Sequence, residues 1–424
     1  MVKIKRFFLN ISICKFSTVN SILFLLFFFI CTFLLIQNEK VNENNYLSTN
    51  YFVIMEYTKF FSKEKFCKQK LSKNSIESYS HNAVFKKILN EKSSENLFMK
   101  KLDRCDYQNC IFTCDKSLLK NSHAVLFHDY DLFNIWNFLT VDYWYIFKTR
   151  SSNQIWIYWH DEPNVVDNRL DKFKFNWTIS FSTKSEVSRC TYGCFKQHNE
   201  DNDNNILKEI KNEFSKRSNS ALWFVSNCKS SYRLKYALKL SKFFNIQMSG
   251  LCSSYFNEDS FSISSFFKTA LNYLFKKSSC PRGSKCELDY LASNKFYLAF
   301  ESTNCTDYIT EKFWRSLSFN LIPVVIQPSK ESYERIAPVD SFIHAQDFNF
   351  DIELLAKYLN NVSNNFELYL KHTRWKLKYS VLSKLEDLEN ERICDLCKKL
   401  NKDYLSTKTY YESVSSWFNQ KCSR

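Results

Sequence analysis

Residues 296–340, FYLAFESTNCTDYITEKFWRSLSFNLIPVVIQPSKESYERIAPVD, constrain the fold more than any other stretch of the chain. Residues 296–300 form a short, apolar, aromatic-rich strand segment, and residues 321–326 read as the next parallel strand. Between them a polar loop runs into a helix that starts at Glu311, with Thr310 as its expected N-cap. Glu311 and Lys312 then fall on the first helical turn. There, free backbone amides and the positive helix end favour an anion, and the lysine adds a full charge.

The same alternation recurs upstream. ALWFVSNCKSSYRLKYALKLSKFFNIQMSGLC, at 221–252, reads as strand, loop, helix and strand, with Arg233 early in the helix and Leu234, Leu238 and Leu240 on its apolar face. Residues 124–127 form a strand after the cysteine-rich CDYQNCIFTCDK, and residues 154–159 form another that leads into His160-Asp161-Glu162-Pro163. Alternating strands and helices predict parallel α/β sheets. No G-x-G-x-x-G fingerprint is present and the chain holds only three glycines, so phosphate has to be held by side chains and helix ends.

The polar identities inside residues 296–340 go beyond a generic strand-helix-strand unit. They resemble the α1,3/α1,4-fucosyltransferases, glycosyltransferase family 10, whose hallmark reads approximately FYLxFENSxxxDYITEKxWRNAxxxxxVPVVxGPxxxNYExxxPxxxFIHxxDF. The match runs through Asp307, Tyr308, Thr310, Glu311, Lys312, Trp314, Arg315, Pro323, Pro328, Tyr333, Glu334, Pro338, His344 and Asp347. Further counterparts are Cys110, Thr113, Asp115 and His128, the FKFNWTISF segment at 173–181, and the VSNC-to-Arg233 segment. The resemblance covers about residues 105–400. It implies two facing Rossmann-like domains of GT-B type, 101–215 on the acceptor side and 216–400 binding GDP-fucose, with a C-terminal tail at 401–424.

The implied reaction is inverting transfer of fucose from GDP-fucose to a GlcNAc-containing glycan, an N-glycan or N-acetyllactosamine. Such transfer needs a base for the acceptor hydroxyl and positive charge for the departing diphosphate. By resemblance, Arg233 and Lys312 bind the diphosphate, Glu311 contacts the ribose, and Tyr308 and Glu301 belong to the same pocket. Glu162, held at a strand end by Pro163, is the expected base, with Asp161 as the alternative. The family turn is Glu-Ser-Pro, and either acid can take its place. Similar enzymes tie a C-terminal Cys-x-x-Cys to the N-terminal domain, which here would link Cys394 and Cys397 with Cys105 and Cys110, in a pairing left open.

No metal or other cofactor is required on this reading, although Mn²⁺ can stimulate by screening the diphosphate. Asp129-Tyr130-Asp131 and Asp201-Asn202-Asp203 have the Asp-x-Asp form of a metal pair but no supporting context.

Lysines at 3, 5 and 15 and Arg6 precede an apolar run at 16–36 without a small-residue cleavage pattern. This predicts a cytosolic tail at 1–15, a signal anchor at 16–36 and, by the positive-inside rule, a lumenal remainder. The expected location is the Golgi membrane, single-pass and type II. Residues 37–100, rich in Asn, Lys, Ser and Glu, read as a stem, and a homodimer through anchor and stem fits this plan. Most of the 16 cysteines lie beyond the anchor, where disulfides persist, and Asn361 is the favoured glycosylation sequon. The net charge of +15 comes from scattered lysines without any nucleic-acid signature, so nucleic acid is excluded as a partner.

Several positions depart from the family. Its RRDSD becomes Ser182-Thr183-Lys184-Ser185-Glu186, its Glu-Asn-Ser becomes Glu301-Ser302-Thr303, and a glycine becomes Gln327. These losses leave room for an alternative, a catalytically weak or inactive homologue that binds glycans in the Golgi.

Overall fold

The computed structural model describes residues 51–59, 63, 65–67, 97–98, 102, 105–132, 143–198, 203–256, 280–407 and 409–422. The anchor expected at 16–36 and most of the expected stem lie outside them, and no helix among the described residues is long and apolar enough to cross a membrane.

The first sheet comprises β1 (Phe52–Glu56), β2 (Leu97–Phe98), β3 (Cys110–Thr113), β4 (Ala124–His128), β5 (Ile155–His160) and β6 (Trp177–Ser180), in the order β2-β3-β1-β4-β5-β6. All neighbours run parallel except β2 against β3. Every residue of β3 to β6 is buried, so these strands read as continuous apolar runs rather than alternating ones. The reading of 37–100 as stem is corrected here. FVIME, at 52–56, pairs with both β3 and β4 inside the sheet, and Cys67 is disulfide-bonded to Cys114. A five-residue apolar strand inside a polar stretch gives too weak a periodic signal to stand out by sequence.

The second sheet holds β8 (Ser218–Phe224), β9 (Ile246–Ser249), β10 (Asn294–Leu298), β11 (Ile322–Val325) and β12 (Ile343–His344), ordered β12-β11-β10-β8-β9 and entirely parallel. From β8 the chain winds one way to β9, then returns to the other side of β8 and continues outward through β10, β11 and β12. The direction reverses between β8 and β10, and a crevice opens at such a switch point beyond the carboxyl ends of the strands. An antiparallel ribbon of β7 (Cys194–Gln197) and β13 (Tyr379–Leu382) joins the two halves of the chain.

Five helices carry or brace the site: α1 (Ser231–Leu240), α2 (Glu311–Ser318), α3 (Ile352–Asn364), α4 (Leu385–Asp403) and α5 (Val414–Asn419). The expected division at 216–400 and a tail at 401–424 needs correction. Ile393, Leu396, Cys397 and Leu400 of α4 are buried in the same apolar cluster as Ile54, Phe112, Leu126, Ile157 and Trp159 of the first sheet. Beyond α4, Asn419 of α5 holds Val166 through two hydrogen bonds of 2.9 Å, and Cys422 is disulfide-bonded to Cys305. The chain end therefore reaches the first half at Val166 and is tied to the second half at Cys305.

Disulfides fasten this return. Cys105 bonds Cys394 and Cys110 bonds Cys397, closing loops of 289 and 287 residues. Because the loops nearly coincide, either bridge alone keeps most of the restraint on the unfolded chain. Cys397→Ser is thus expected to cost far less than Cys394→Ser and Cys397→Ser together. The pair should cost about 2–5 kcal/mol, read from denaturant midpoints.

Gly193 sits where the halves touch. A Cβ there would lie 2.0 Å from Cγ of the buried Trp314 on α2. Gly193→Ala must push that indole out of place, and a loss of about 1–3 kcal/mol is expected by thermal unfolding.

Candidate active site

The two helices that follow β8 and β10 start without side-chain caps. Thr310 occupies the cap position of α2 as expected, but its hydroxyl turns away and bonds both oxygens of Glu301 at 2.9 Å. Ser230, ahead of α1, donates to the Ser302 carbonyl at 2.9 Å. Both cap hydroxyls are drawn to the loop after β10, which leaves the first-turn amides of both helices without a side-chain acceptor.

Arg233 and Lys312 converge on that loop. Arg233, 3% exposed, donates to the carbonyls of Phe300 at 3.0 Å and Asn227 at 2.8 Å, while its Nε has no hydrogen-bond partner. It makes no ion pair with a described residue. Burial lowers its pKa from the usual value, and the Glu301 charge works against that. A buried guanidinium with no carboxylate partner is a place for an anion. Lys312 reaches Glu301 at 3.0 Å and the Thr310 hydroxyl at 2.7 Å, with Glu311 3.8 Å away.

Glu301, expected in the same pocket, sits beneath Lys312. Its side chain is fully buried and its oxygens accept from Thr310 N, the Thr310 hydroxyl and Lys312. Both oxygens are engaged within this turn, so Glu301 braces the turn that carries Lys312. Gln327, at the family's glycine position, donates to the Glu301 carbonyl at 3.1 Å, so this departure braces the same loop.

From the first half, Glu162 follows β5 and is exposed. The Tyr308 hydroxyl donates to its Oε2 at 3.3 Å, so an acid from the first sheet meets the loop that carries Glu311 and Lys312. Desolvation raises the Glu162 carboxyl above the usual range. The Tyr308 hydrogen bond opposes this, and the negative charges of Asp161 and Glu311 add to it. Tyr308 is itself buried against Phe181 and Tyr192, with ring centroids 5.1 and 6.0 Å away.

Asp161, the alternative base, is committed elsewhere. Arg392 of α4 grips both its oxygens at 2.7 and 2.8 Å, and Trp159 Nε1 adds a bond of 2.7 Å. Burial would raise its pKa, but the Arg392 charge and these hydrogen bonds outweigh it and hold the carboxyl below the usual range. A paired, saturated carboxylate is a poor proton acceptor.

The Asp-x-Asp candidate at 129–131 divides between neighbours. Asp129 accepts from the Tyr158 hydroxyl and lies 3.1 Å from His160 Nδ1, while Asp131 pairs with His128 at 3.2 Å. Asp203 opens the helix Asp203–Lys216, and Asp201 and Asn202 lie outside the described residues.

The family description "Fucosyltransferase, N-terminal" matches residues 50–193, and "Glycosyltransferase family 10 (fucosyltransferase) C-term" matches residues 214–417. The chain is 31% identical over 317 residues to 4-galactosyl-N-acetylglucosaminide 3-alpha-L-fucosyltransferase 9 of Bos taurus, covering 73% of this chain and 75% of that one. It belongs to glycosyltransferase family 10, the fucosyltransferases.

Alpha-(1,3)-fucosyltransferase 7 of Mus musculus is 28% identical over 314 residues, covering 73% of this chain and 68% of that protein. A crystal structure of an alpha1,3-fucosyltransferase with GDP aligns at 12% identity and a TM-score of 0.42 over 86% of this chain and 93% of that one, too distant to add to the assignment.

Within this fucosyltransferase, the residue that sequence reading does not single out is one recruited from afar: Arg392 lies 231 positions from Asp161. The link between Asp307 and Thr183, whose backbone and hydroxyl donate to the Asp307 carboxylate at 3.0 and 2.7 Å across 124 positions, is likewise visible only in the fold. Nothing in the local pattern around Arg392 announces its partner. The Cys-x-x-Cys two residues later is the one signal that this helix touches the first domain.

Proposed function

We propose that this fucosyltransferase is an inverting α1,3-fucosyltransferase of GT-B plan that transfers fucose from GDP-fucose to a GlcNAc-containing glycan. The observation that carries the reading is the contact of Glu162 with Tyr308, which brings a carboxylate of raised pKa to the anion-binding crevice. Glu162 takes the proton of the acceptor hydroxyl as that oxygen attacks the anomeric carbon of fucose. The bond from that carbon to the diphosphate breaks, and GDP leaves with the electron pair. One displacement turns the β-linked donor into an α-linked product.

Arg233 and Lys312, with the uncapped helix ends, hold the diphosphate and spread the charge of the leaving group. Glu311, on the first turn of α2, is positioned for the ribose, and Tyr308 keeps Glu162 oriented. No step is assigned to a metal, and Mn²⁺ is expected at most to stimulate.

The chain is further read as a single-pass type II protein of the Golgi membrane, with its catalytic part lumenal and a homodimer formed through anchor and stem. Fourteen of the 16 cysteines form seven disulfides, which supports an oxidising compartment. The other two, Cys14 and Cys31, lie outside the described residues. Asn361 is exposed on α3 and open to a glycan, whereas in the sequon Asn176-Trp177-Thr178 the Asn176 side chain bonds Arg150, Trp156 and Thr409.

The test is transfer from GDP-fucose by the purified lumenal segment to N-acetyllactosamine and to a trimmed N-glycan, followed by mass spectrometry. A fucosylated product on either acceptor supports the reading. Glycan binding without nucleotide binding would instead favour the glycan-binding homologue.

A further inference from the structure

We propose that Arg392 is a positioning residue for Glu162, acting through Asp161. The C-terminal helix, stapled to the first sheet, fixes the turn that presents the base. The inference rests on the reading of Glu162 as base.

The turn after β5 is held on both sides of Glu162. Behind it, Asp161 is gripped by the Arg392 fork and by Trp159 Nε1, and its carbonyl accepts from the Tyr192 hydroxyl. Ahead of it, Pro163 fixes the backbone. Arg392 is itself 5% exposed and immobilised. Its guanidinium lies 4.6 Å from the Trp159 ring, and the Lys65 ammonium lies 4.7 Å from that ring. Lys65 in turn pairs with Glu389 of α4 at 3.3 Å. Sliding of α4 is blocked two and five residues after Arg392, where Cys394 and Cys397 are bonded to Cys105 and Cys110.

A buried ion pair is a poor way to gain stability, because desolvation offsets most of its attraction. What a bidentate fork supplies is a fixed orientation. Here the fixed residue is the immediate neighbour of the base. A base displaced by about 1 Å can lose on the order of 100-fold in rate.

The test is a double-mutant cycle measured by steady-state transfer from GDP-fucose, comparing Arg392→Met, Glu162→Gln and the two together. Arg392→Met is expected to lower kcat about 10–100-fold with the donor KM within about twofold, since the diphosphate site is in the other half. Arg392→Lys, which keeps the charge but not the fork, should recover part of the loss. With Gln at 162 there is no base left to position, so adding Arg392→Met should cost nothing further.

Equal losses with and without Glu162, or an unchanged kcat with a lowered Tm, would overturn the inference. If Arg392→Met fails to fold because Asp161 is left buried and unpaired, Arg392→Met with Asp161→Asn removes that charge. A full kcat in this folded double variant would also overturn it. Full activity in Glu162→Gln alone would sink the base reading and this inference with it, whereas an inactive Glu162→Gln with additive losses sinks this inference only.

Discussion

Glu162→Gln is expected to lower kcat by about 10²–10⁴-fold while leaving donor binding and Tm essentially intact. The amide keeps the size of the side chain and can still accept from the Tyr308 hydroxyl, but it cannot take a proton. Partial desolvation and the neighbouring acids raise the Glu162 carboxyl, so the fold disfavours its ionised form. A neutral replacement therefore relieves a cost, and loss of activity without loss of stability marks a residue kept for chemistry. The sign of the pH dependence follows. A base works only when ionised, so activity falls as pH drops through the Glu162 pKa. Because that pKa is raised in the free protein, the acid limb of the kcat/KM profile should be shifted upward from that of an ordinary carboxylate and vanish in Glu162→Gln. Residual transfer that keeps the same acid limb would assign the base elsewhere.

Lys312→Met is expected to lower kcat/KM by about 10²–10³-fold, through loss of the charge proposed to hold the leaving diphosphate. Its structural effect is also large. Glu301 is fully buried, and Lys312 is the cation that pairs with it at 3.0 Å. Breaking a buried pair from one side costs about 3–5 kcal/mol. The two effects separate in Lys312→Met with Glu301→Gln. The glutamine oxygen still accepts from Thr310 N, and no buried charge is left alone, so stability should largely return. Activity should not. Recovery of transfer in that double variant would mean that Lys312 serves only to neutralise Glu301.

Sequence and structure divide this protein along a physical line. The apolar runs at 296–300, 321–326, 154–159 and 124–127 announce buried parallel strands, because a strand covered on both faces has to be apolar throughout. The string from Asp307 to Lys312 announces the family and the start of a helix, since those residues lie within a short stretch of chain. Local signals of this kind survive in a single sequence. Contacts made across hundreds of positions do not. The FVIME strand is hidden because its partners β3 and β4 come more than fifty residues later. Glu301 looks like a pocket residue, and only its burial against Thr310 and Lys312 shows a carboxylate already saturated. Asp161 and Glu162 compete for one role in the turn HDEP. The difference between them is Arg392, brought from a helix more than two hundred residues away. Periodicity and motif spacing therefore determined most of the parallel strands and the family. Long-range pairing, set by how α4 folds back under two disulfides, decided which of two adjacent acids is held by an arginine and which is not.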